Sequence, residues 1–195
     1  MRSTRLVALA VVTEGALALA AWTIARFIDL PLQWGNVLRD ITIGLVAAVA
    51  LGLINHALLT RAPSSWIVNG VRAVYHEVLV PVFGALHPIA IGFIGLAAGV
   101  GEELFFRGLL QPTLGWMAAS ALFGLAHTGG REMLPFAAWA AIMGAALGGL
   151  AFVTSGLTAP VVAHGVYDVM ALAYIRRARV QRGRQRDDGA EGIGS

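Results

Sequence analysis

The chain has 195 residues, 57% of them hydrophobic and 13% charged, with a mean hydropathy of +0.74. A soluble domain of this size could not cover so much apolar surface, so the composition indicates a membrane protein. Cysteine is absent, which excludes disulfides, thiolate nucleophiles and cysteine-based metal sites. The net charge is +3 and all 14 basic residues are Arg; the crowding of Arg176, Arg177, Arg179, Arg182, Arg184 and Arg186 near the end points to an anionic leaflet rather than nucleic acid.

In chain order, Leu6 to Ile28 is an apolar run behind Arg2 and Arg5. It imitates a secretory signal, but Glu14 interrupts the run and the apolar stretch continues long enough to span, so an uncleaved first span is expected. Ile41 to Leu59 is a second span. Pro63 to Pro88 mixes Trp66, Asn69, Arg72, Tyr75, His76 and Glu77 with apolar residues, as an interfacial or re-entrant segment does. Further spans follow at Ile89 to Leu110, Leu114 to His127, Pro135 to Val153 and Leu157 to Ile175; the second of these is short and needs shielding by its neighbours.

At roughly 20 residues per span, this is an all-α polytopic transmembrane helix bundle of about six spans plus the interfacial segment. It forms a single membrane domain over 1–176, with its core at about 89–175 and an Arg-rich tail over 177–195 expected to be disordered. An even number of spans puts both termini on one side. The positive-inside rule makes that side the cytoplasm, because Arg2, Arg5, Arg61, Arg72 and the C-terminal cluster then lie inside.

Ionisable residues within spans are costly unless paired or hydrated, so each is a functional suspect. Three constellations stand out, each of them an i, i+4 arrangement on a helix. In Glu102-Glu103-Leu104-Phe105-Phe106-Arg107, Glu103 and Arg107 share a face and can pair, whereas Glu102 is turned by about 100° onto another. A buried ion network is the plainer reading of Glu103 and Arg107, and it leaves Glu102 for chemistry. In Phe123-Gly124-Leu125-Ala126-His127, the His ends an apolar helix beside Gly129-Gly130 and Phe123 can pack on its ring. In His164-Gly165-Val166-Tyr167-Asp168, the carboxylate can fix the imidazole's tautomer, or the pair can simply glue helices together. His56, His76 and His87 have no partner pattern and are read as structural or interfacial; His87 directly precedes Pro88, which marks a boundary.

Taken in order, Glu102-Glu103-x-x-x-Arg107, Phe123-x-x-x-His127 and His164-x-x-x-Asp168 resemble the three motifs of the CAAX prenyl endopeptidase and bacteriocin-processing (CPBP) family, also called the CAAX protease and self-immunity family. The resemblance covers roughly residues 89 to 175 and includes Gly108 just after the Arg. It implies an intramembrane glutamic endopeptidase in which Glu102 and His127 hold and deprotonate a water while His164 and Asp168 stabilise the oxyanion. Many members carry Asn where this chain has Asp168, so here Asp168 is expected chiefly to orient His164.

The expected substrate is a membrane-associated peptide or protein, in a bacterial inner membrane and without nucleic acid or cofactor. Zinc is the metal alternative, since carboxylates and two His residues could hold it with one position open; the usual His-x-x-x-Glu or His-Glu-x-x-His spacing on one helix is absent. Two other functions compete: a non-catalytic immunity or scaffold protein of the same fold, and a proton-coupled transporter, against which the lack of internal repeats counts.

Overall fold

The computed structural model describes the backbone of residues 2–191 and the side chains of residues 4–182. The described residues are helical, in the order α1 (Arg2–Phe27), α2 (Val37–Thr60), α3 (Trp66–Val74), a π-helical stretch (Tyr75–Leu79), α4 (Val80–Phe83), α5 (Pro88–Glu103), a second π-helical stretch (Leu104–Leu110), α6 (Gln111–Leu114), α7 (Trp116–Ala126), a 3₁₀ turn (Arg131–Met133), α8 (Leu134–Thr154) and α9 (Thr158–Glu191). Local chemistry sets the starts. Asn36 caps α2 by accepting from the Arg39 N–H at 3.1 Å, Ser65 caps α3 by accepting from Val68 at 3.2 Å, and α5 opens on Pro88 behind the cap His87.

Both π-helical stretches lie just before a proline, Pro81 and Pro112. A proline ring crowds the carbonyl four residues back and donates no N–H, and a wider turn relieves both problems. Accordingly Val80 donates to the Tyr75 carbonyl and Gln111 to that of Phe106, five residues back in each case.

Five helical stretches are long and apolar enough to cross a bilayer: Thr4–Phe27, Val37–Thr60, Pro88–Leu114, Arg131–Thr154 and Thr158–Arg182. They present Leu9, Val12, Leu19, Val46, Leu53, Phe93, Phe152 and Val153 outward, an apolar surface suited to lipid. The short span expected over 114 to 127 is α7. Its 11 residues reach only about 16 Å against a hydrocarbon core of about 30 Å, so α7 leaves the turn at Gly115 and stops part-way back.

One end of the bundle is tied by the link between α1 and α2. Leu157 N–H donates to the Gln33 carbonyl at 3.0 Å and Thr158 Oγ1 to the Trp34 carbonyl at 2.6 Å. Gly35 has φ +71°, and Gly156 packs so closely on it that a side chain at Gly156 would strike its backbone. Asp40, wholly buried, accepts from Arg39 Nε at 2.7 Å beneath this link. At the opposite end Val7 and Ala10 of α1 pack with Leu86 and Ile91, and Arg179 of α9 donates to the Pro81 carbonyl at 3.2 Å. The start of α1 and the far part of α9 therefore share one end.

The segment from 63 to 88, expected to be interfacial or re-entrant, folds as α3, the first π-helical stretch and α4, with Gly70 pressed on Pro135 of α8. Over 177–191 the backbone is helix continuous with α9, because a helix already held by packing extends cheaply through Arg, Gln and Ala; residues 192–195 lie outside the described residues.

Candidate active site

The site is assembled where small residues let helices approach. A Cβ on Gly99 would fall 2.6 Å from the backbone of Gly165, and one on Gly95 would fall 2.7 Å from Val169, so α5 and α9 meet almost backbone to backbone. Gly124 does the same for α7 against α8, where a Cβ would fall 2.5 Å from the Ala137 carbonyl. Gly115, at φ +88°, makes the reversal between α6 and α7. Glu102 lies thirteen residues before this reversal and His127 twelve after it, so the two arms return them to the same depth.

That return brings His127 Nε2 to 4.0 Å from Glu102 Oε2. His127 Nδ1 lies 2.8 Å from the Phe123 carbonyl, which can only accept. Nδ1 therefore carries a proton, and Nε2 is the ring atom turned toward Glu102. Glu102 Oε2 is buried and has no hydrogen-bond partner in the protein. A water about 2.8 Å from each atom fits this gap and could donate one hydrogen to each.

Behind this pair lies a buried charge network centred on Glu103. Its Oε1 accepts from Arg107 Nη1 at 2.8 Å and from His164 Nδ1 at 2.7 Å. Arg107 also donates from Nη2 to the Gly144 carbonyl at 2.9 Å and lies 4.4 Å over the Phe123 ring. Phe123 in turn packs 4.7 Å from the His127 ring and 5.7 Å from the His164 ring, centroid to centroid. Asp168 Oδ2 stands 3.6 Å from His164 Nε2, beyond hydrogen-bond length.

The structure thus gathers Glu102, Glu103, Arg107, Phe123, His127, His164 and Asp168. One partnership differs from the motif's expectation: His164 Nδ1 makes its short bond to Glu103 on α5, and not to Asp168 on its own helix. In the sequence, Glu14 of α1 stands out only as an interruption of a signal-like run. It lies against Gly101, where a Cβ would fall 2.5 Å from the Glu14 carbonyl oxygen and 2.8 Å from its Oε2. An acidic residue within a span was the signal that could have flagged it. Among the described residues, no three His, Asp or Glu side chains are grouped so as to hold a metal ion.

The comparisons with known proteins bear on this same region. Residues 83–170 match the family model for Rce1-like, type II CAAX prenyl endopeptidases. This stretch is similar to the Rce1-like family. The matched stretch begins within α4 and ends within α9, so it contains all three motifs of the CPBP resemblance. The match supports CAAX-type intramembrane protease function in general terms, and together with the apolar helices it supports an integral membrane protein. No curated protein and no solved structure matches the chain.

Proposed function

We propose that the protein is an intramembrane endopeptidase that cleaves a membrane-associated protein or peptide with a water activated by Glu102 and His127. The observation that carries this reading is the 4.0 Å gap between Glu102 Oε2 and His127 Nε2, with the carboxylate oxygen buried and unpartnered. A water there donates one hydrogen to each atom and points a lone pair outward. As its oxygen adds to the scissile carbonyl carbon, Glu102 takes a proton, later delivering it to the amide nitrogen as the C–N bond breaks.

His164, held through Nδ1 by Glu103, faces the developing oxyanion with Nε2 and donates to it when both ring nitrogens carry protons. Asp168 tunes that edge of the ring, and Arg107 and Phe123 keep the two imidazoles apart and aligned. This route uses only side chains of the chain and no cofactor.

The test is cleavage of a pool of membrane-associated peptides by the reconstituted full chain. Glu102→Ala, Glu102→Gln and His127→Ala should each lose about 10²-fold or more in rate, the usual contribution of a general base. Glu102→Gln cleaving at the wild-type rate would reject Glu102 as the base. Incubation with a chelator should leave the wild-type rate unchanged; loss reversed by added zinc would replace this route with a metal-assisted one.

A further inference from the structure

We propose that the cavity between α9 and the turn joining α4 to α5 is a binding site for the phosphate of one anionic phospholipid, held by Arg176, Arg179 and His87. The cavity is open to the outside, has a volume of about 430 Å³ and is lined by these three residues together with Leu86, Pro88 and Val180. It stands apart from the site described above, since Pro88 is fourteen residues, or about 21 Å, from Glu102 along α5.

The fold sets its donors in place. Gly84 lets the stem of Arg179 lie flat on the turn, where a Cβ would fall 2.8 Å from both the Cβ and the Cδ of that side chain. Arg179 Nη1 donates to the Pro81 carbonyl at 3.2 Å, which anchors the guanidinium and leaves its other N–H groups for a ligand. Arg176, three residues earlier in α9, reaches the cavity from the same face and forms no ion pair among the described residues. On the other wall, His87 Nδ1 accepts from the Ile89 N–H at 3.3 Å as the cap of α5, so the ring proton sits on Nε2 and is available to donate. Among the described residues, no carboxylate lines the cavity. Two guanidinium groups and an imidazole N–H without an acid select an anion, and the guanidinium fork matches phosphate oxygens.

The position of the cavity makes that anion a lipid. Pro88 begins one membrane-length stretch, and Arg176 and Arg179 lie in the last two turns of another, Thr158–Arg182, so the cavity sits at the depth of headgroups. Beside it Ile89, Phe93, Leu96 and Val100 form an exposed apolar row down one face of α5, spaced i, i+4, i+7 and i+11. A phospholipid uses both features at once, its phosphate in the cavity and an acyl chain along the row, whereas a phosphate ion from water uses only the first.

Lipid binding to the purified full chain in a neutral detergent, counted by native mass spectrometry, tests the site. One phosphatidylglycerol should bind about tenfold more tightly than phosphatidylcholine of the same chains, the value of one charge-assisted hydrogen bond. Arg176→Gln and Arg179→Gln should each lower that affinity by about tenfold, and His87→Asn, which keeps a cap for α5, by about threefold. Arg177→Gln removes the same charge at a position turned by about 100° from Arg176, and should change the affinity by less than about twofold. Should Arg179→Gln unfold through loss of its bond to Pro81, Arg176→Gln decides alone, because the Arg176 side chain is exposed and carries no ion pair.

An equal loss in Arg177→Gln, or phosphatidylglycerol held at wild-type affinity by Arg176→Gln, overturns the site in favour of diffuse attraction between an Arg-rich end and an acidic surface. Glycerol phosphate and inorganic phosphate, added at the concentration of the lipid, should not displace it. Displacement by either would make the occupant a phosphate from water and overturn the lipid.

Discussion

At the scale of single residues, Glu103 is the hinge of the arrangement. One oxygen of this fully buried carboxylate takes bonds from both Arg107 and His164. Removing one partner of a buried ion pair leaves an uncompensated charge and costs about 3–5 kcal/mol, whereas replacing both at once by neutral groups of similar volume is far milder. Arg107→Ala should therefore lower the thermal midpoint in detergent more than the double change Glu103→Gln with Arg107→Met. A double variant less stable than either single one would show that the network contributes packing rather than charge balance. The i, i+4 pairing of Glu103 with Arg107 was legible in the sequence because it depends on helix geometry alone. The bond from Glu103 to His164 was not, since it depends on the register that Gly95, Gly99 and Gly165 allow between α5 and α9, and nothing local encodes that register. Glu14 was hidden for the same reason: its neighbours are all on other helices.

At the scale of elements, the segment from α3 to α4 is where amphipathic pattern alone left the most open. Its docking depends on a few polar contacts. Arg72 donates to the carbonyls of Leu58, Leu59 and Ala62 at 2.8 to 3.0 Å, closing the otherwise unpaired end of α2. Farther along, Arg182 of α9 donates to His76 Nδ1, so the ring must offer a lone pair there. Burial, and next the Arg182 charge, hold the His76 pKa below its usual value of 6.5. The unfolded chain therefore binds more protons than the folded one below this value. The contact is intact at neutral pH and above, and stability falls as pH drops through the lowered pKa. Hydrogen exchange over residues 75–83 should accelerate on acidification, and His76→Gln should flatten that dependence. Acceleration persisting unchanged in His76→Gln would assign the acid response to another group. The two prolines, Pro81 and Pro112, were visible in the sequence, but that each would be absorbed by a wider helical turn rather than a break follows only from the neighbours holding both arms in line.

At the scale of the whole molecule, the distribution of Arg gives a testable expectation for how the bundle sits. Arg5, Arg61, Arg72, Arg176, Arg177, Arg179 and Arg182 belong to the end where α1 begins and the described part of α9 finishes. The other end has Arg26 and Arg39, offset by Asp29 and by Asp40, which Arg39 meets at 2.7 Å. From asymmetry of this kind we predict that the Arg-rich end faces the cytoplasm; the site, about 18 Å from the turn at Gly115 along either arm, would then lie near the middle of a core about 30 Å thick. A chain without cysteine makes this easy to check with single introduced thiols. Gln33→Cys, in the link between α1 and α2, should react with an impermeant maleimide added to intact cells. Ala62→Cys, beyond the end of α2, should react only after the membrane is opened. The reverse pattern would turn the bundle over and expose the Arg-rich end to the outside, where the anionic inner leaflet could no longer hold it.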